Sequence, residues 1–247
     1  MINRFKKNDL NQVVEILCNS FNMSEYECFK MLDMINPTAN LFLLKNKCEV
    51  VCVASAIPVN INDKKGRYIY AVATKEDKRM NGYATKLLKY LIEYFKDTDV
   101  VLLKPAEDNL FGFYKKIGFD TELNADICDY YPQNDGCVIT KRDVNEYIDL
   151  RNKFNNFHYS DEIVRYYFEC YKYFCVCGEG ALALYRIEEN VCYIDEIYGE
   201  NQTKLIQGII QTENVKKAIV TEVGNKPYAL AHFYNKQFDI QFRIPME

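Results

Sequence analysis

The chain has 247 residues, enough for one large or two compact domains, and at 49% hydrophobic and 27% charged residues it can build real cores and stay soluble. Its net charge of -4 argues against sequence-independent nucleic-acid binding, which needs Lys and Arg to neutralise phosphates. It weakly favours a cationic or amine-bearing partner through long-range steering. The first ten residues show no apolar h-region or cleavage site. No apolar run reaches ~18 residues. A cytoplasmic protein with no membrane partner is expected.

In chain order, a short strand at Ile2–Phe5 precedes a helix that Asn8 or Asp9 can cap, with Val13, Val14, Ile16 and Leu17 as its apolar positions. A second helix, capped by Ser24, has Phe29, Met31, Leu32 and Ile35 as its apolar positions and stops at Pro37. Strands follow at Asn40–Leu44, Glu49–Ile57 and Arg67–Thr74, separated by turns at Lys45–Cys48 and Asn62–Gly66. The period then changes. Ala84, Leu87, Leu88, Leu91, Ile92 and Phe95 fall on one helical stripe. A buried strand, Val100–Leu103, and a short helix, Asn109–Ile117, come next, with Gly118 as the stop. This order predicts an α/β layer with a mixed sheet.

Asp120–Gly136 is polar and marks a boundary. Beyond it the order restarts. Lys7-Asn8-Asp9-Leu10-Asn11 is echoed by Lys141-Arg142-Asp143-Val144-Asn145, each ahead of a helical stripe. A helix (Asp161–Tyr173), two strands around Gly178–Gly180, a strand (Val191–Tyr198), a helix carrying Leu205, Ile206, Ile209 and Ile210, and a strand (Ala218–Val223) complete an internal repeat. The expected division is 1–125, a linker at 126–136, and 137–247. The ten cysteines read as reduced thiols, several of them (Cys52, Cys175, Cys177, Cys192) inside strand-like runs. His158 and His232 are too far apart to suggest a zinc site, and no metal is expected.

The richest stretch is the strand Tyr68–Thr74 running through Lys75–Lys78 into Arg79-Met80-Asn81-Gly82-Tyr83-Ala84, where a helix opens. The first turn of a helix offers free N–H groups and a positive dipole end, a ready site for a pyrophosphate. Gly82 lets phosphates approach the backbone, Ala84 is small, and Arg79 adds a full charge. The plainer reading of Arg79 is a solvated loop charge.

Arg79-x-x-Gly82-x-Ala84 resembles the (Q/R)xxGx(G/A) signature of GCN5-related N-acetyltransferases (GNAT). Phe113-Tyr114-Lys115-Lys116-Ile117-Gly118-Phe119 is similar to that family's YxKxGF segment at the expected distance. The resemblance covers about Val51–Phe119. It implies two GNAT-like domains, each a mixed, mostly antiparallel twisted sheet flanked by helices. It also implies an acetyl-CoA co-substrate whose pantetheine lies between diverging strands. Backbone groups of Val72, Ala73 and Thr74 would pair with the pantetheine. Residues Met80, Asn81, Gly82, Tyr83, Ala84 and Thr85, with Arg79, would hold the pyrophosphate.

The implied reaction is attack by a neutral primary amine on the thioester, with Tyr114 protonating the departing thiolate. A phenol of pKa near ~10 is protonated at neutral pH. Tyr114 also lies on the stripe Leu110, Phe113, Ile117 and fits as core packing. A backbone N–H near Val72 would polarise the carbonyl. No base is visible. Tyr68 and Tyr70 share a strand face and either line an acceptor cleft or form a half-buried sheet surface. Glu107, Asp108 and the terminal Glu247 are further carboxylates. The family's Asn seven residues before the tyrosine is Glu107 here, with Asn109 two residues late. The second half lacks the motif and resembles a degenerate domain. Asp195, Glu196, Glu222 and Tyr228 are contacts for an amine or plain surface groups. The alternative function is a non-catalytic acyl-CoA-binding sensor. The acceptor is a small molecule or peptide, and the assembly a monomer with paired lobes or a homodimer.

Overall fold

The computed structural model describes residues 1–61, 63–154 and 157–240. The chain forms two compact units. Unit 1 comprises Met1–Leu123 and, from the far end of the chain, Ala229–Asp239; unit 2 is built on Asn124–Tyr228. No helix among the described residues is long and apolar enough to cross a membrane.

Unit 1 opens with β1 (Ile2–Arg4) and α1 (Leu10–Phe21), which buries Val13, Val14, Ile16 and Leu17. Asp9 precedes α1 but does not cap it; its carboxylate meets Lys45 Nζ at 2.5 Å instead. α2 (Glu25–Ile35) starts with a capping box, Ser24 and Glu27 satisfying each other's backbone amides. Pro37 begins a single turn, α3 (Pro37–Asn40), so the next strand, β2 (Leu41–Asn46), starts one residue later than the sequence suggests. β3 (Glu49–Ile61) and β4 (Lys64–Thr74) extend beyond the expected strands. α4 (Tyr83–Tyr94) and β5 (Val100–Leu103) follow. The helix expected at Asn109–Ile117 is a 3-10 turn, Asp108–Leu110, running into α5 (Phe111–Lys115).

β6 (Thr121–Tyr130) carries the chain into unit 2, so the stretch expected as a linker from residue 126 begins as strand. Then come β7 (Thr140–Arg142), α6 (Val144–Phe154), β8 (Phe157–His158), α7 (Asp161–Tyr171), β9 (Phe174–Gly178), β10 (Ala181–Glu188), β11 (Val191–Gly199), α8 (Gln202–Glu213) and β12 (Lys217–Val223). A last strand, β13 (Lys226–Phe233), was not expected from the sequence; its residues from Ala229 onward belong to unit 1.

The pairing order is the same in both units. In unit 1 it runs β1-β2-β3-β4-β5-β13, antiparallel throughout except for the parallel pair β4–β5. In unit 2 it runs β7-β9-β10-β11-β12-β6, antiparallel except for the parallel pair β11–β12. The repeat read from the sequence is thus a repeat of topology. The strand beside β5, β13, reaches unit 1 from far along the chain, whereas the strand beside β12, β6, opens unit 2's own run.

In unit 1, α4 lays Leu87, Leu88 and Leu91 on the sheet face carrying Phe42, Leu44, Cys52, Ala54, Ala56 and Ile69. In unit 2, α8 lays Leu205, Ile206, Ile209 and Ile210 on Ala183, Tyr185, Cys192 and Ile194. At ~25 cal/mol per Å² of apolar surface removed from water, these stripes dominate each unit's stability. None of the ten cysteines forms a disulfide; Cys52, Cys175 and Cys192 are buried and Cys177 half-buried.

Candidate functional site

The site read from the sequence is assembled by β4, the loop after it, and α5. β4 pairs with β3 in register from Ile61↔Lys64 to Ser55↔Tyr70, then resumes at Val53↔Ala73. One extra residue therefore sits in β4, and Ala71 absorbs it with φ 52. The Ser55 hydroxyl steadies this bulge by donating to the Tyr70 carbonyl at 2.7 Å. A bulge reverses which face the following residues address. Val72 accordingly packs against the same cluster as Tyr114 and the α4 leucines.

On its other edge, β4 pairs with β5 only at Gly66, Arg67 and Tyr68. Gly66 permits that approach, since a Cβ there would lie 2.9 Å from Val59 and 3.0 Å from Val100. Among the described residues the β4–β5 register ends at Tyr68↔Leu102, while β4 continues to Thr74. The end of β4 from Ala71 to Thr74 therefore runs on past its pairing with β5. It is a place where an extended molecule can add as a strand.

Thr74 leads into a loop that is held at several points. Lys75 N–H donates to Val51 O at 3.0 Å, and Asn81 Nδ2 donates to the carbonyls of Lys78 and Arg79 at 3.1 and 3.0 Å. Lys75 and Lys78 are committed to carboxylates, at 2.8 Å to Glu49 and 2.9 Å to Asp77. Arg79 donates to the Thr74 carbonyl at 3.4 Å and remains exposed. Met80 and Gly82 both take positive φ, 64° and 74°. Around a Cβ placed on Gly82 nothing lies within 4 Å, so the space in front of the helix is open. The first ladder bond runs from Lys86 N–H to Gly82 O at 3.0 Å. The amides of Tyr83, Ala84 and Thr85 come before it and have no acceptor inside the helix. The loop is a concentrated donor surface at the positive end of a 12-residue helix.

Tyr114, on α5, is 9% exposed, with Phe113 and Phe119 edge-on at 5.1 and 6.1 Å. Its hydroxyl has no protein partner among the described residues and is not sealed from solvent. Burial, and secondarily Cys52, pushes its phenol up to about 12. Packing and an available hydroxyl coexist, so the two readings of this residue are compatible. Sequence reasoning missed Cys52, which stands opposite Thr74 across the β3–β4 ladder. Burial raises its thiol to about 11, against the Thr74 hydroxyl bonded to it at 3.3 Å.

The other expected residues divide. Tyr68 and Tyr70 do share a face, with rings stacked at 6.2 Å, but Tyr68 is buried and only Tyr70 keeps some exposure. Glu107 and Asp108 are exposed, and Asn109 Nδ2 bonds Glu107 at 2.9 Å. Glu247 lies outside the described residues. In unit 2, Glu196 is no surface group. It is fully buried, 3.0 Å from Arg151 Nε, and accepts from the hydroxyls of Tyr147 and Tyr198 at 2.8 Å each and from that of Tyr159. Asp195 bonds the Tyr173 hydroxyl at 2.5 Å and Glu222 that of Tyr130 at 2.5 Å; Tyr228 is half-buried.

Unit 2 has no loop like 75–82. β11 ends at Gly199 and α8 begins at Gln202. Asn201 and Lys204 there are occupied with Glu179, at 3.2 and 3.1 Å. The two-residue connection is too short for a loop of that kind.

Comparison with known proteins agrees with this geometry. Residues 1–121 match the family model described as an acetyltransferase (GNAT) domain. A search of curated proteins finds no significant match. Among solved structures, a GCN5-related N-acetyltransferase from Anabaena variabilis superposes with TM-score 0.76 at 12% identity, over 95% of this chain and 73% of that one. A probable N-acyltransferase from Enterococcus faecalis gives 0.71 at 13%, over 95% and 72%. Eis1 from Mycobacterium abscessus gives 0.70 at 8%, over 95% and 74%. These structures share the fold across both units. Residues 1–121 are thus similar to acetyltransferase (GNAT) domains, and the chain shares the fold of these solved structures.

Proposed function

We propose that unit 1 transfers an acetyl group from acetyl-CoA to a primary amine by direct attack, and that unit 2 is a GNAT-like unit without its own cofactor site. One observation carries the reading. The end of β4 from Ala71 to Thr74, which runs on past its register with β5, leads into the open amides at Gly82–Thr85, and Tyr114 shares a packed cluster with Val72.

The residues present fit the cofactor. Gly82 leaves the cradle unobstructed, Arg79 supplies positive charge, and backbone groups of Val72, Ala73 and Thr74 match the amides of a pantetheine arm. Met80, Asn81, Tyr83, Ala84 and Thr85 complete the phosphate-facing turn. Acetyl-CoA supplies the activated thioester; this chain supplies position and electrostatics. The amide of Val72, turned by the bulge at Ala71, polarises the reacting carbonyl. Tyr114 stays protonated at neutral pH and donates its proton to the departing sulfur. β4 carries no carboxylate, so the proton released by the amine leaves through water, which returns a proton to the Tyr114 phenolate and restores the phenol.

The test is thiol release from acetyl-CoA against polyamines, amino sugars, amino acids and peptide N-termini. Release with any of these, lost in Tyr114→Phe, supports transfer. Tight CoA binding without release across the panel would replace it with a non-catalytic acyl-CoA sensor.

A further inference from the structure

We propose that His232, 118 residues beyond Tyr114 in sequence, is a positioning residue for Tyr114, and that the C-terminal segment is thereby a working part of the acyltransferase unit. The proposal rests on the role assigned above to Tyr114.

Ala229–Asp239 belongs to unit 1. Leu230, Ala231, His232 and Phe233 pair antiparallel with Leu103, Leu102, Val101 and Val100 of β5. Leu230 is buried in the cluster that also holds Tyr114, Ile117 and Phe119. From this strand the His232 imidazole reaches the turn after α5, with Nδ1 2.8 Å from the Gly118 carbonyl. A carbonyl only accepts, so Nδ1 carries the proton and His232 donates.

That turn holds Tyr114. α5 has five residues, too few to be stable by its own ladder. The amides of Ile117, Gly118 and Phe119 all return to the Tyr114 carbonyl, at 3.0, 3.3 and 3.2 Å. One end of the turn is thus fastened to the tyrosine's own backbone, and the Gly118 carbonyl at the other end is fastened by His232. The imidazole is itself braced. Tyr234 packs edge-on against it at 4.7 Å, gives its hydroxyl to the Ile92 carbonyl of α4, and bonds Asp99 O through its amide at 3.1 Å. None of these hydrogen bonds reaches residues 79–85. Losing them should move Tyr114 without disturbing cofactor binding, and small displacements of a reacting group cost rate steeply.

The experiment uses the full chain with His232→Ala, His232→Asp and His232→Asn. Asn places an amide donor near the position of Nδ1, whereas Asp places only an acceptor there. Expected are kcat values about 10-fold lower in the Ala and Asp variants and within about 2-fold of wild type in Asn. The KM for acetyl-CoA and the Kd of CoA should stay within about 2-fold. Hydrogen exchange of the 114–119 amides should quicken about 10-fold in Ala while that of α4 is unchanged. Unchanged exchange at 114–119 in His232→Ala, or an equal loss in Asn, would overturn the proposal. So would CoA affinity falling in step with kcat. If the wild type proves to have no turnover, the exchange readout still decides the positioning claim separately from the transfer reading.

Discussion

Arg151 Nε sits 3.0 Å from Glu196 Oε2 with both side chains fully buried. This pair is the polar centre of unit 2. The Arg151 guanidinium also lies 4.0 Å above the Tyr159 ring and gives Nη2 to the Phe157 carbonyl at 3.3 Å. A buried ion pair is costly to break from one side, because the remaining charge is stranded. Glu196→Gln and Arg151→Met should each destabilise the chain by about 3–5 kcal/mol in urea unfolding. The double variant should cost less than the sum. Simple additivity would show that the pair is not a unit.

Gly82 is the residue whose replacement should separate binding from folding. At φ 74, an alanine is strained by about 1 kcal/mol, and its Cβ projects into the open space before α4. Gly82→Val should raise the Kd for CoA by at least about 10-fold in calorimetry, with only a few degrees lost in Tm. Lys75→Ala is the control: its charge is already spent on Glu49, so CoA affinity should change by less than about 2-fold. Equal effects from both substitutions would remove the cradle from the argument.

Tyr114→Phe should lower kcat by about 10²-fold while leaving the KM for acetyl-CoA unchanged. With the phenol held near 12, the rate should rise as the amine substrate deprotonates and show no alkaline limb from Tyr114 below about pH 11. The same shift has a stability consequence. A phenol raised in the folded state contributes fully below about pH 10, its unfolded value. That contribution is lost as pH rises through the folded value near 12. The alkaline fall in stability between those limits should be shallower in Tyr114→Phe, by up to about 3 kcal/mol at its end. Superimposable alkaline unfolding curves would show that the phenol is not raised.

Ala71 tests the bulge. At φ 52 glycine is tolerated and a β-branched side chain is not. Ala71→Gly should be neutral or stabilise by up to about 1 kcal/mol. Ala71→Val should destabilise by about 1–2 kcal/mol and lower kcat by turning the Val72 amide away. Thermal melts and steady-state rates check both.

Much of unit 1 was legible because its signals are local. The Ser24 cap, the α4 stripe and the Gly82 helix start are written within a few residues of where they act. The repeat was legible as element order even with few shared residues. What escaped depends on partners distant in sequence. Glu196 reads as a surface carboxylate on a strand; the groups that bury it, Tyr147, Arg151 and Tyr159, lie 49, 45 and 37 residues away. β13 reads as the tail of the second repeat, because nothing in Tyr228–Phe233 names β5 as its neighbour. The bulge at Ala71 left no trace, since alanine gives no warning of a left-handed backbone.

The placement of β13 has a consequence for synthesis. When the ribosome has finished Leu123, every residue of the proposed cofactor loop and α5 has been made, yet β5 still lacks its outer neighbour. Translation at about 5–20 residues per second leaves that edge bare for roughly 6–20 s until Phe233 emerges. Unit 1 must therefore wait until β13 is made before β5 can pair on that side, so a strand made after all of unit 2's described strands completes the unit begun first.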